Sequence, residues 1–202
     1  PEIYEKTDVF IEAADWIVYK MTGKLIRNSA TLGVNCFWNP KRGYPSKEFF
    51  YNIEPGLENV VEEKMKGEIA IVGSCAGNLT PEFAELLGLT TDTVVSVGHG
   101  DSEVAACGTS SVDSGTMILV MGTSTCHQMI HSTIKDIDGI SSVIMDGMIP
   151  GFYAYQSGQP AVGDIFEWYA NNLASEEYTK EAKKQNLSIL AYMNKRASEL
   201  RP

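Results

Sequence analysis

Apolar residues in "DVFIEAADWIVYKMTGK" recur with helical spacing, putting Phe10, Ala13/Ala14 and Ile17 on one face. Asp8 stands where an N-cap is expected, and Gly23 where the helix should stop. "TPEFAELLGL" predicts a second helix, with Thr80 as cap, Pro81 at its first position and Gly88 at its end. "TVVSVGHGD" reads as a short β-branched strand that runs into glycines. "SEVAACGTSS" follows with the small residues of a helix packed closely against its neighbours. From Met117 to Tyr155 the pattern predicts two or three strands, with turns at "DIDG" and "MDG". "GDIFEWYANNL" predicts a helix, and "NLSILAYMNKRASEL" another with Leu187, Leu190/Ala191, Ala197 and Leu200 on one side. Residues 31–56, rich in Gly, Pro, Asn and aromatics, predict mostly irregular loop around a short helix. The class is mixed α/β, without internal repeats, and the composition change at "SVDSGT" (111–116) is the best candidate domain boundary.

Composition narrows the functions available. The chain has 202 residues and 44% hydrophobic content, enough for one large domain or parts of two. A formal charge of -10 argues against a nucleic-acid partner or an anionic membrane surface. No apolar run is long enough for a membrane span, and no signal peptide is visible. Cys36, Cys75, Cys107 and Cys126 show neither metal-ligand spacing nor a disulfide framework, so a reducing cytoplasm is the expected compartment. "NLT" at Asn78 and "NLS" at Asn186 then read as chance glycosylation patterns. The acidic and basic runs "VVEEKMKGE" and "SEEYTKEAKK" read as solvated surface.

Asp101 carries the first chemical signal. It follows a strand and the glycines of "GHG", at the start of the next helix, where the helix dipole keeps a carboxylate ionised. Such a group suits a general base taking a proton from a hydroxyl, but an isolated Asp there is as often just a cap. The second signal is Gly122-Thr123-Ser124-Thr125, a small hydroxylated turn between two apolar runs. Its N–H groups and hydroxyls suit phosphate oxygens; the plain alternative is a polar hairpin. Together the two pair a candidate base with a candidate phosphate clamp, the equipment of phosphoryl transfer to an alcohol. His127 and His131 fall on one face of a strand and read as ordinary histidines rather than metal ligands. Cys126 has no basic group placed to activate it and reads as a small buried residue. Trp16, Trp38 and Trp168 read as core or cleft-lining, Trp38 being best placed to touch a sugar face.

The stretches "EAADWIVYKMTGK", "SCAGNLTPEFAELLGL", "VGHGDSEVAACG", "VMGTSTCHQMI" and "IPGFYAYQSGQPAVGDIFEW" resemble the FGGY carbohydrate kinases. They cover most of residues 9–172 in the family's order; the remainder to Pro202 is only loosely similar. "GTSTC" and "PGF…GQ…GDIF.W" resemble the branch that acts on ketopentoses. The resemblance implies an actin-like ATPase fold of two ribonuclease H-like lobes, with substrates in the cleft between them. Residues 1–113 would close the first lobe, which holds sugar and base, and 114–202 would open the second with its phosphate-binding hairpin. It further implies transfer of the γ-phosphate of Mg-ATP to a sugar hydroxyl, with ATP and Mg2+ as cofactors. Asp101 would be the base, and Gly122, Thr123 and Ser124 would meet the phosphates.

The family's first phosphate loop would lie before Pro1 and its adenosine site after Pro202, so the 202 residues are expected to be the middle of an enzyme and inactive alone. Apolar faces left open by those missing segments would favour packing against a second copy, a homo-oligomer. Three departures fall on the sugar side. The ketopentose branch has His where this chain has Glu103, Lys where it has Asn35, and Glu where it has Gln156. Asn35, Asp101, Glu103 and Gln156 are therefore the candidate sugar-binding set, with the sugar itself left open. The rival expectation is an actin-like protein that binds a sugar or nucleotide without catalysis; a thiol transferase using Cys126 is more distant.

Overall fold

The computed structural model describes residues 2–200, in two compact units. One runs to Ile118 and takes up Gln128–Ser157; the other comprises Leu119–His127 and the chain from Gly158 onward. In chain order the elements are α1 (Glu2–Lys6), α2 (Ala13–Thr22), β1 (Ile26–Asn28), α3 (Ser29–Cys36), α4 (Lys47–Ile53) and α5 (Val60–Lys64). Then come β2 (Glu68–Ala70), β3 (Cys75–Asn78), α6 (Pro81–Leu87), β4 (Val94–Ser96), α7 (Asp101–Gly108) and β5 (Met117–Met121). The rest are β6 (Thr125–His131), β7 (Ser142–Met145), β8 (Tyr153–Gln159), α8 (Gly163–Asn172), α9 (Glu176–Lys184) and α10 (Ile189–Ser198).

In the larger unit β1 and β2 pair in parallel, Ile26 opposite Glu68 and Asn28 opposite Ala70. β3 and β4 pair antiparallel, with a register shift between Cys75 and Gly77. Val18, Ile26, Ala76, Leu79, Ala84, Val95 and Val97 form one buried cluster, against which Met21, Ala70 and Phe83 pack. Each large aliphatic side chain so buried contributes about 1.5–3 kcal/mol. α2 enters this cluster through Val18 and Met21, and α6 through Ala84 and Phe83. The face expected for α2 is not the buried one, since Phe10 precedes the helix, Ala13 is exposed and Ile17 is half exposed. Gly23 closes α2 in the left-handed region, its N–H donating to the Tyr19 carbonyl. Thr80 caps α6 by accepting from Phe83 N, with Pro81 in its first turn and left-handed Gly88 at its end.

β7 and β8 form an antiparallel pair that sets Ser142 opposite Gln156 and Ile144 opposite Ala154. They belong to a four-stranded sheet of order β5-β6-β8-β7. α3 lies so close to β7 that a Cβ on Gly33 would stand 2.8 Å from Ile144 Cγ2.

Several expectations need correction. Helix α2 begins at Ala13 behind Glu12, and Asp8 caps nothing. The Asp8 carboxylate instead meets Lys66 Nζ at 3.1 Å, while Phe10 N donates to the Lys64 carbonyl. Residues 31–56 are more regular than their composition suggests, because Asn28 and Ser46 cap two helices, α3 and α4. Four strands, rather than two or three, occupy 117–159. The run "SEEYTKEAKK" is mostly exposed as expected, but it is helical, capped by Ser175 and anchored by buried Ala182. Trp16 and Trp168 are about half exposed (51% and 57%), so neither belongs to a core.

Candidate functional site

The approach to Asp101 is held at each step. Asn28, fully buried, accepts from Ala30 N through Oδ1 and donates through Nδ2 to the Gly98 carbonyl at 2.5 Å. Its own N–H donates to Asp15 Oδ1 at 3.0 Å. One residue on, His99 Nδ1 accepts from Gly100 N at 2.8 Å. That fixes the proton on Nε2, which donates to the Gly147 carbonyl at 2.7 Å. The "GHG" stretch is thus tied to α3 on one side and to the β7–β8 turn on the other. His99 was missed in the sequence, although a lone His between two glycines ahead of a helix was its signal.

Asp101 emerges from this anchored stretch as the first residue of α7. Gly100 is the N-cap and offers no side chain, so Asp101 Oδ1 accepts from Ser102 N at 2.8 Å while the carboxylate stays exposed. The group therefore does what a cap does and is also open to solvent, poised and accessible.

Two residues later Glu103 turns inward. Its Oε1 accepts from Gln156 Nε2 at 2.8 Å and from Gln128 Nε2 at 3.4 Å, and its Oε2 accepts from the Ser102 hydroxyl at 3.0 Å. Gln128 Nε2 also reaches Ser102 Oγ at 3.2 Å, and Gln156 Oε1 accepts from Ser142 Oγ at 3.3 Å. The structure thus joins Glu103 and Gln156, two of the expected sugar-side residues. Asn35, in the last turn of α3, lies outside that network and donates to Glu12 Oε1 at 3.0 Å. Gln128 was overlooked in the sequence; its signal is a carboxamide at a buried position within the apolar strand β6.

In the smaller unit the turn of Gly122, Thr123 and Ser124 links β5 to β6 and is exposed throughout. Gly122 N donates to the Ser124 carbonyl at 2.8 Å, closing the turn. The N–H groups that open α8 grip its other face: Val162 N donates to Thr123 O at 2.7 Å, and Gly163 N to the carbonyls of Gly122 and Thr123. A Cβ at Gly163 would come within 3.0 Å of the Gly122 oxygen, so glycine there allows the close approach. Gly122 is different, since a Cβ would meet nothing of the protein nearer than 3.9 Å. Turn, α8 and the start of α10 line an open cleft of about 470 Å³ that includes Gly122, Thr123, Asp164, Glu167, Asn171 and Ser188. Hydroxyls and an open backbone edge suit phosphate oxygens. The carboxylates of Asp164 and Glu167 are the hard oxygen donors that Mg2+ takes.

Other signals resolve plainly. All four cysteines are free, and Cys126 is half-buried. His131 Nδ1 is engaged with Thr133. Among the described residues no three His, Cys, Asp or Glu side chains gather to hold a metal, and no helix is long and apolar enough to cross a membrane.

Residues 117–202 match the C-terminal domain of the FGGY family of carbohydrate kinases. Over all 202 residues the chain is 44% identical to a ribulokinase of Anoxybacillus flavithermus and 43% identical to one of Geobacillus thermodenitrificans. It spans 36% of the length of each. A xylulose kinase structure from Rhodospirillum rubrum superposes on the whole chain with a TM-score of 0.75 at 20% identity, using 38% of that protein.

Proposed function

We propose, from the match of residues 117–202 to the C-terminal domain of the FGGY family of carbohydrate kinases and the 44% identity to a ribulokinase, that the protein transfers the γ-phosphoryl group of ATP to a hydroxyl of a ketopentose or related sugar. The observation that carries this reading is Asp101: an exposed carboxylate at a helix start, on a stretch anchored by Asn28 and His99. In the proposed reaction Asp101 takes the proton of the sugar hydroxyl, whose oxygen attacks the γ-phosphorus while ADP departs. The Gly122-Thr123-Ser124 turn holds the phosphates, positioning them by N–H and hydroxyl donors. Asp164 and Glu167 would receive the Mg2+ carried with the nucleotide, and that ion would neutralise phosphate charge.

The test is ADP release by the full-length protein against ketopentoses, pentitols and hexuloses, repeated with Asp101→Asn. Turnover should fall about 10²–10⁴-fold in the variant, the usual contribution of a positioned base. Sugar KM should change far less, because the amide still accepts a hydrogen bond from the hydroxyl. A near-normal kcat would reduce Asp101 to a cap. Sugar or nucleotide binding without any ADP release would favour the non-catalytic binder, the reading that Asn35, Glu103 and Gln156 keep in play.

A further inference from the structure

We propose that His99 is a positioning residue for Asp101. Its imidazole is a strut that sets the start of α7, and with it the carboxylate, against the turn between β7 and β8. The inference rests on the kinase reading for the role of Asp101, but its geometry lies wholly within the larger unit.

Gly100 is the N-cap of α7, so its N–H is among the donors that a helix start leaves without an intrahelical partner. A Glu three residues on commonly reaches back to such an N–H. Glu103 stands at that position, but its side chain is turned to Gln156, Gln128 and Ser102 instead. Glycine brings no side chain of its own to the cap either. The donor goes to His99 Nδ1, at 2.8 Å. The imidazole thus does for the helix start what Glu103 does not, and it does so directly beside Asp101.

The far side of the ring is held by a fixed point. Nε2 donates to the Gly147 carbonyl at 2.7 Å. Gly147 is buried, and a Cβ there would stand 2.7 Å from Ala154 Cβ and 2.9 Å from Ile144 O, so its backbone is packed closely. Asp146 locks the same turn, its N–H donating to the Phe152 carbonyl at 2.9 Å and its Oδ1 accepting from Gly151 N at 2.6 Å. Bonds on both nitrogens leave the ring no free torsion. The bond that Asp101 Oδ1 accepts from Ser102 N is internal to α7 and cannot fix the carboxylate against the rest of the fold. Glu103 ties the helix to β8 two residues after the base, and His99 supplies the tie ahead of it. A catalytic group displaced by about 1 Å can lose about 10²-fold in rate, so this tie bears on turnover.

The experiment uses the full-length protein with ATP and the sugar that the ketopentose, pentitol and hexulose panel turns over fastest. In His99→Asn the new amide oxygen overlies Nδ1 and can accept from Gly100 N, but the side chain falls short of Gly147. In His99→Gln the amide reaches Gly147 and leaves Gly100 N without its acceptor. His99→Gln should lower kcat about 10- to 100-fold with both KM values nearly unchanged, the signature of a displaced base. His99→Asn should keep most of the wild-type kcat. Adding His99→Gln to Asp101→Asn should cost little more than Asp101→Asn alone, because the position of an absent base does not matter. Equal losses in the two variants, a loss confined to KM, or losses that multiply in the double variant overturn the inference. If no sugar is phosphorylated, or Asp101→Asn turns over normally, the kinase reading fails and amide hydrogen exchange decides the inference separately. Protection over residues 98–103 that survives in His99→Asn and is lost in His99→Gln upholds it. Protection that is the same in both variants overturns it.

Discussion

Asp15 is a buried carboxyl whose chemistry departs from that of a free side chain. It is 1% exposed, one oxygen accepts from Asn28 N, and the other has no partner. Burial pushes its carboxyl above the ordinary carboxylate range, against the opposing pull of the Asn28 N–H and the Arg27 guanidinium. A folded state that binds this proton more tightly than the unfolded chain is favoured at low pH. Its contribution is therefore complete below the unfolded pKa of about 4 and is lost as pH rises through the raised folded value. Each unit of separation is worth about 1.4 kcal/mol. Asp15→Asn, which keeps the acceptor for Asn28, should remove this component. Melting temperatures measured from about pH 4 upward should show the gap between variant and wild type moving in the variant's favour as pH rises. A gap that is flat, or that moves the other way, would mean Asp15 is ionised throughout. Nothing in "EAADWIV" announced this group: one Asp on a helix reads as surface until the neighbouring strand and α3 close over it. Asp101 was legible for the opposite reason, since its position after strand and glycines is a local pattern.

A local signal was read correctly at α6 and at the end of α2, whereas the start of α2 was misplaced at Asp8 and elements defined by distant partners were not seen. α6 is fully specified by Thr80, Pro81 and Gly88, all adjacent in the chain. α3 was missed because "SATLGVNC" is a poor helix by composition and its cap, Asn28, is a buried strand-end residue bonded to Gly98 and Asp15. The link between Glu103 and Gln156 spans 53 residues, which periodicity does not see. Gly33 sets local preference directly against packing. Replacing a helical glycine by alanine should stabilise by about 0.5–1 kcal/mol. At this position the new Cβ meets Ile144 Cγ2 at 2.8 Å, and overpacking of that kind typically costs about 1–3 kcal/mol. We expect Gly33→Ala to be net destabilising in denaturant unfolding, and Gly33→Ala combined with Ile144→Ala to show a favourable coupling between the two sites. A stabilised single variant would show that α3 can move off β7 at no cost.

For the whole molecule, the kinase reading assigns different ligands to different units, and that division can be tested without turnover. The larger unit holds Asn35, Asp101, Glu103 and Gln156, all proposed for the sugar. The smaller holds the Gly122-Thr123-Ser124 turn and the cleft it lines with α8 and α10, proposed for nucleotide phosphate. Amide hydrogen exchange reports local opening, and a bound ligand slows it where the ligand bridges groups that otherwise open separately. In the full-length protein, L-ribulose should protect the stretch from Gly98 through Glu103 and the β7–β8 pair. An ATP analogue should instead protect Gly122 to Ser124, the first turn of α8 and the start of α10. Gly122 sharpens the assignment, because its surroundings leave room for a Cβ: Gly122→Ala should preserve the fold and the sugar footprint while erasing the nucleotide footprint at the turn. Sugar-induced protection centred on the turn would exchange the two sites, and nucleotide protection that survives Gly122→Ala would place the phosphates elsewhere.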